Sequence, residues 1–397
     1  MPKATRLHTI GLTAATLGAV SVTVLPFATF RASRIQTGST LSAVEAVGGW
    51  GFATLLAIWL AVAAISAGRM ARIPAAVLRG ALATLALLGT VALSAYAVQR
   101  GVDTTTPFAR ISIGTGAWSN IAIAYTLILA SRRESGLTRA ARIALSTTAP
   151  LGVAALLGAG LLDNLAIMLE YANQADRFWT EVVTQLMFAG VAVGIALVLG
   201  VALGVLAFRH PRLRGPVFAV ANVFQTIPGL AMVGLLFAPL SWLGANVPTL
   251  KRLGVGGLGW MPVIVALTLY ALLAIVRNTY AGLTAVPADA VEAGFGMGMT
   301  EWQVLYRVRF PLAMPVVFGG ARTAAVQTLG NATLGAFVAA GTLGLFVFGG
   351  LSQQAPDLIL LGSITLVLLA LVLDGVLGVV QELLSPRHRR RTEGATQ

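Results

Sequence analysis

Long apolar runs alternate with short clusters of charge along this chain. Ten of the runs approach the length of about 20 residues that a helix needs to cross roughly 30 Å of hydrocarbon. They lie near 8–30, 49–68, 80–98, 111–131, 143–162, 183–207, 216–240, 260–281, 314–340 and 358–380. The pattern predicts an all-α, polytopic membrane protein. Thr115, Ser119 and Asn120 make the fourth run the most diluted of the ten. The first follows Lys3 and Arg6 but is longer than the roughly 7–15 apolar residues of a secretory signal, so it is expected to be an uncleaved anchor.

Ten crossings would put both termini on one side, and the basic residues say which. The connections on that side, with Arg277 and Arg322 just inside its helix ends, hold twenty lysines and arginines. The opposite connections hold seven: Arg31, Arg34, Arg100, Arg110, Arg177, Lys251 and Arg252. Over short loops such a bias places the richer side in the cytoplasm, and both ends of the chain with it. The longest outer connection, from about Asp163 to Val182, carries Tyr171, Phe178 and Trp179, which suit a helix lying at the interface.

Composition agrees. Of 397 residues, 57% are hydrophobic and 10% charged, with mean hydropathy +0.85, against about 25% charged in an ordinary soluble domain. The net charge of +13 is accounted for by the positive-inside bias, so no nucleic-acid partner is expected. There is no cysteine, and His8, His210 and His388 lie far apart, so no metal site is expected. Lys3 and Lys251 are the only lysines and neither follows a glycine. A phosphate loop of the form G-x-x-x-x-G-K-[ST] is therefore excluded, and no cofactor or catalytic residue is assigned.

Three glycine patterns need weighing. Gly254, Gly256 and Gly259 satisfy the dinucleotide fingerprint, but in an outer loop without the strand that the fingerprint requires. Gly190/Gly194 and Gly200/Gly204 are small-x-x-x-small pairs suited to close helix packing in lipid. The segment 287–315 is the most structured. Pro287 suits a helix start, Asp289 and Glu292 its positive end, and Gly298 its stop. Thr300 and Gln303 form a capping box for a second helix over 301–308, which Pro311 and Pro315 are expected to end. A helical hairpin on the arginine-rich side, presenting Phe295, Met297 and Trp302, is a predicted docking surface.

Glu292-Ala293-Gly294, Gly298, Val308, Phe310 and Pro311 stand at the spacing of the E-A-A-x3-G-x9-I-x-L-P motif, and the segment resembles the coupling loop of ABC importer permeases. The departures are Gly294, Val308 and Phe310. The resemblance extends through Asn222–Leu230, Leu269–Tyr280, Gly319–Thr323 and Gly341–Gly344 to the osmoprotectant branch, whose members serve glycine betaine, choline, carnitine or proline betaine. It implies a type I importer permease core at 166–385, preceded by an accessory region of about five spans at 1–165 and followed by a basic cytoplasmic tail at 386–397. It further implies a cytoplasmic ATPase subunit docked on Glu292, Ala293, Gly294, Gly298, Trp302 and Pro311, an extracytoplasmic substrate-binding protein, and a second permease subunit, expected to be another copy. Lipid is the remaining partner.

Polar residues inside spans mark the candidate pathway, because such groups cost energy unless paired or wetted. Gln225, Thr226 and Pro228 are expected to break the seventh span, and Gln327, Thr328 and Asn331 fall within the ninth. Arg322 and Asp374, at similar depth in the last two spans, are expected to pair. The alternatives are a gradient-driven secondary transporter, disfavoured by the scarcity of span carboxylates and the lack of an evident repeat, and an ABC permease for amino acids.

Overall fold

The structure, a computed structural model, describes residues 3–34, 36–68, 70–101 and 109–384. Arg69 and the basic tail expected at 386–397 lie outside the described residues. The chain divides into two compact units, Met1–Asn173 with Gln353–Asp357, and Gln174–Ser352 with Leu358–Gln397.

In the first unit, α1 (Lys3–Thr23), α2 (Ala43–Ala67), α3 (Arg72–Gly101) and α4 (Thr115–Arg132) pack on one another, with α5 (Arg139–Gly158) against α3 and α4 and the short α6 (Ala166–Asn173) at the end. Phe27, Val47, Leu55, Trp59 and Leu127 fill the core. Gly18 is required there. A Cβ on it would stand 2.3 Å from the Trp59 ring, so the absent side chain lets α1 and α2 approach. A capping box starts α2 at Ser42 and Glu45, several residues before the apolar run.

The unit is not purely helical. Strands β1 (Ala28–Arg31), β2 (Ser39–Leu41) and β3 (Arg110–Ile113) form an antiparallel sheet in the order β2-β1-β3. Ala28 pairs with Leu41 on one side and Ile113 on the other. The all-α class stands with this local exception: the residues after Pro26 and before Thr115 that fall in the first and fourth apolar runs are extended. Strands this short carry too few residues for their alternation to stand out within a hydropathic run.

In the second unit α11 (Trp260–Thr284) is the central element. It packs against α7 (Ala175–Arg209), α8 (Pro211–Thr226), α9 (Gly229–Asn246) and α14 (Phe310–Asn331). Cβ atoms on Gly200 and Gly204 would meet Ile275 and Thr279 of α11 at 2.8 and 2.6 Å, so this pair serves close packing. Gly190 and Gly194 instead have, among the described residues, no atom beyond their own helical turn within 4 Å of that position. Asp176–Val182, expected in a connection, already belongs to α7. The glycine-rich loop 253–259 follows the helical turn α10 (Pro248–Arg252) and not a strand, with Gly254 and Gly259 at φ +72° and +89°.

Beyond α11 come α12 (Ala288–Gly296), α13 (Glu301–Val304), a π-helical segment over Leu305–Arg309, and α14. A 3₁₀ segment (Ala332–Val338), α15 (Gly344–Ser352) and α16 (Pro356–Leu384) complete the chain. Among the described residues seven helices are long and apolar enough to cross a membrane: α2, α3, α5, α7, α9, α11 and α16. The runs expected at 8–30, 111–131 and 314–340 are helical over most of their length but fall outside that set. The run at 216–240 is split at Ile227-Pro228.

Candidate functional site

The split between α8 and α9 follows from Pro228. A residue before proline is pushed out of the helical region, and Ile227 (φ −75°, ψ 126°) and Pro228 (φ −56°, ψ 139°) are both extended. The interrupted helix leaves backbone groups to satisfy inside an apolar bundle. Tyr270 of α11 does so on one side, its hydroxyl donating to the Ile227 carbonyl at 2.6 Å. Gln225 answers in the other direction, its Nε2 donating to the Tyr270 carbonyl at 2.8 Å. The break is thus clamped to the central helix by a reciprocal pair of bonds.

The break opens a cavity of about 280 Å³ lined by Gln225, Thr226, Ile227, Pro228, Gly229, Tyr270, Gln327 and Asn331. Five of the six residues singled out for a pathway therefore meet on one wall. Thr328 does not: it is buried at 1% exposure, on the inward face of α14. Tyr270 is the lining residue that polarity alone missed; its signal was a tyrosine in the middle of an apolar run.

A second cavity, of about 720 Å³, is lined by Asn278, Gly319, Arg322, Thr323, Val326, Gln327, Asp374 and Gln381. Arg322 and Asp374 form the expected pair as a two-pronged fork, with Nε–Oδ1 at 2.6 Å and Nη2–Oδ2 at 2.7 Å.

Elsewhere in this unit polar side chains act as ties. Gln185 of α7 is fully buried, donates to the Leu329 carbonyl at 2.6 Å and accepts from the Leu343 amide at 3.2 Å. One turn earlier, Glu181 accepts from the Thr342 amide. Both were missed as site residues. Their signal was an i, i+4 polar pair in an apolar stretch.

The hairpin forms as its local chemistry dictates. Pro287 precedes α12, Asp289 lies in its first turn and Glu292 is exposed. Gly298, at φ +78°, donates to the Phe295 carbonyl, and Met299 donates to that of Gly294. This is the paired arrangement by which a left-handed residue closes a helix. The Thr300–Gln303 capping box then starts α13, with Gln303 Oε1 accepting from the Thr300 amide at 2.8 Å.

Pro311 and Pro315 do not end this second helix, contrary to expectation. The chain passes through the π-helical segment into α14, where Pro311 occupies the first turn and Pro315 lies inside. Pro311 can donate no backbone bond. The wider turn, in which Phe310 donates five residues back to Leu305, carries the helix past it.

Beneath the hairpin lies a small core of Leu283, Val286, Val291, Val304, Leu305, Ala313 and Val317. Gly294 is buried there, and a Cβ on it would stand 3.3 Å from Val304 and 3.4 Å from Val308. The outer face carries Phe295, Met297, Trp302 and Tyr306, all exposed, with the last two stacked at 5.6 Å. Arg209, at the end of α7, lies 3.8 Å over the Trp302 ring and 3.9 Å from Glu301. Ala293 and Pro311 are exposed as well.

Comparison with known proteins matches both halves of the chain. Residues 196–390 match the family described as "Binding-protein-dependent transport system inner membrane component", and residues 6–168 match "ABC transporter permease YehY, N-terminal domain". The osmoprotectant import permease protein OsmW of Salmonella typhimurium is 41% identical over 58% of this chain and 100% of its own length. The glycine betaine/carnitine/choline transport system permease protein OpuCD of Bacillus subtilis is 38% identical over 56% of this chain and 90% of its own. A methionine ABC transporter solved in inward-facing conformations is 22% identical over 54% of this chain and 98% of that one, with a TM-score of 0.46.

Proposed function

Because the chain belongs to the binding-protein-dependent transport system inner membrane components, the permeases of ATP-driven importers, we propose that it imports quaternary ammonium osmoprotectants such as glycine betaine, carnitine or choline. The chain is a multi-pass inner-membrane subunit and not itself an enzyme. ATP hydrolysis belongs to a separate subunit, and solute is delivered by a binding protein. The gradient-driven alternative is thereby set aside.

The substrate class rests on the relatives named for these solutes, at 34–41% identity. The observation that carries a transport role for particular residues is the cavity at the α8–α9 break. Gln225, Thr226, Pro228, Gln327 and Asn331 from separate elements converge on it, while Gln327 and Asn331 make no side-chain hydrogen bond to another described residue. Polar groups left open inside an apolar bundle are suited to solvate a passing solute.

The hairpin is the docking surface for the ATPase subunit, with Glu292, Ala293, Gly294, Gly298, Trp302 and Pro311 as its contact and shaping residues. In support, its apolar side chains point outward over a core that the hairpin itself completes. Two permease copies form the pathway, lipid surrounds them, and both termini face the cytoplasm. Residues 1–165 are an accessory region and 166–385 the transport core.

The test is ATP-dependent uptake of labelled glycine betaine, choline and amino acids by vesicles containing the permease, its ATPase and its binding protein. Uptake of the quaternary ammonium solutes is expected. Uptake of amino acids alone would favour the amino-acid permease reading. Glu292→Ala and Gly298→Val, matched for expression, should both lose uptake, the second because a β-branched residue enters positive φ only at a cost of about 1–2 kcal/mol. Normal uptake by both would sink the docking assignment.

A further inference from the structure

The pairing of Arg322 with Asp374 solves a local problem, but its setting is not that of a structural tie. A structural pair is best closed off, with every donor and acceptor occupied and no water at the wall. Here the side chains are 30% and 46% exposed, and both line the larger of the two cavities described above. The site is also shaped for the guanidinium. A Cβ on Gly378 would stand 3.1 Å from both Nη1 and Nη2 of Arg322, so the missing side chain makes the room. Gln381 steadies the group from α16, accepting from Nη1 at 3.3 Å while donating to the Pro315 carbonyl at 3.2 Å.

The cavity shares Gln327 with the one at the helix break. Gly319, Thr323, Gln327 and Asn331 recur every fourth residue on α14 and so share a face. Gly319, Thr323 and Gln327 line the larger cavity, and Gln327 and Asn331 the smaller one at the helix break. At 1.5 Å per residue the stripe spans about 18 Å. Arg322 and Asp374 stand at one end of this polar track.

We infer that the Arg322–Asp374 fork is a substrate station, opening to hold a zwitterionic quaternary ammonium carboxylate with its carboxylate on Arg322 and its cationic head on Asp374. The inference rests on the substrate class proposed above and deepens it. Charge balance favours it. The guanidinium fork accepts any carboxylate in the geometry it already gives Asp374. A zwitterion entering the fork replaces one anion and one cation, so neither protein charge is left alone at a depth where a lone charge is costly. When the solute leaves, the fork recloses and the site is neutral again. A solute carrying only the positive charge engages Asp374 but strands Arg322, so the station discriminates in favour of zwitterions.

The experiment uses the whole importer in vesicles, with the binding protein saturated so that capture does not set the rate, and compares glycine betaine, a zwitterion, with choline, a cation. Arg322→Gln should lower glycine betaine uptake about tenfold more than choline uptake, the scale of one lost charge-assisted hydrogen bond. Asp374→Asn should lower both. The double variant R322M/D374L leaves no lone charge to hinder insertion and should again lose glycine betaine uptake about tenfold. Wild-type uptake of both solutes by R322M/D374L would overturn the station, and so would an equal loss of both solutes in Arg322→Gln. If R322M/D374L is absent from the membrane while the swapped pair R322D/D374R is present, the fork is structural and the proposal falls. A wild-type importer that takes choline but not glycine betaine overturns the zwitterion station alone. One that takes neither overturns the proposed substrate class as well.

Discussion

Three polar clusters in the first unit differ from one helix face in the second. In the first unit these clusters are closed within the fold. Asn120 is fully buried, accepting from Thr90 at 3.1 Å and donating to Ser21 at 3.3 Å. Glu170, with its side chain 2% exposed, is held between Arg34 and Arg110, while Asp357 takes Arg31 and Ser112. Arg31 and Arg110 stand opposite each other across β1 and β3, a like-charged juxtaposition that the two acids offset. In the second unit the face of α14 from Gly319 to Asn331 is open to cavities. Polar content in an apolar run therefore says little by itself; what distinguishes a tie from a pathway is whether the groups find partners within the fold.

The largest loss of stability is expected from Glu170→Leu. It strands two arginines, and breaking a buried pair by removing one partner costs about 3–5 kcal/mol. The thermal midpoint of the purified permease should fall steeply, and a loss indistinguishable from a surface substitution would show that the cluster is not an anchor. Gln185→Leu comes next. It leaves the Leu343 amide and the Leu329 carbonyl without this side chain, at a cost of about 2 kcal/mol, and shows whether closed polar groups in the second unit behave as those in the first do. A midpoint unchanged from wild type would remove Gln185 from the ties.

Asn120→Leu should cost less, about 1–2 kcal/mol, because Thr90 and Ser21 keep bonds to the Ala86 and Gly18 carbonyls. The smallest stability effect is expected from Gln327→Leu and Asn331→Leu. These side chains have nothing to lose within the described chain, and their midpoints should stay within about 0.5 kcal/mol of wild type. Uptake should nevertheless fall severalfold. If the midpoint drops and uptake per folded molecule does not, α14 carries ties after all and the contrast between the units collapses.

The elements most legible in the sequence were those governed by neighbours along the chain. The hairpin over 287–315 was placed by Pro287, by Gly298 and by the Thr300–Gln303 box, each acting within one helical turn. The break at Pro228 was visible for the same reason. The π-helical segment was not, because whether a proline ends a helix or is accommodated depends on the packing around it. Here the core of Val304, Leu305, Ala313 and Val317 holds both sides in one continuous element. The strands of the first unit were hidden because their residues, such as Phe30, Ile111 and Ile113, are as apolar as the helices beside them. Likewise Gly190/Gly194 and Gly200/Gly204 are identical as patterns, yet only the second pair meets α11.

What the sequence determined alone was the solvent of the protein, from an apolar fraction that no soluble surface could cover, and the local devices that start, stop and break its helices. Tertiary structure decided which polar groups face one another and which face a cavity. Thr328 and Gln327 are neighbours in sequence with equal claims to a pathway, but adjacent positions on a helix point about 100° apart. Only the packing of α14 in the fold, chiefly against α11 and α7, buries the first and leaves the second on a cavity.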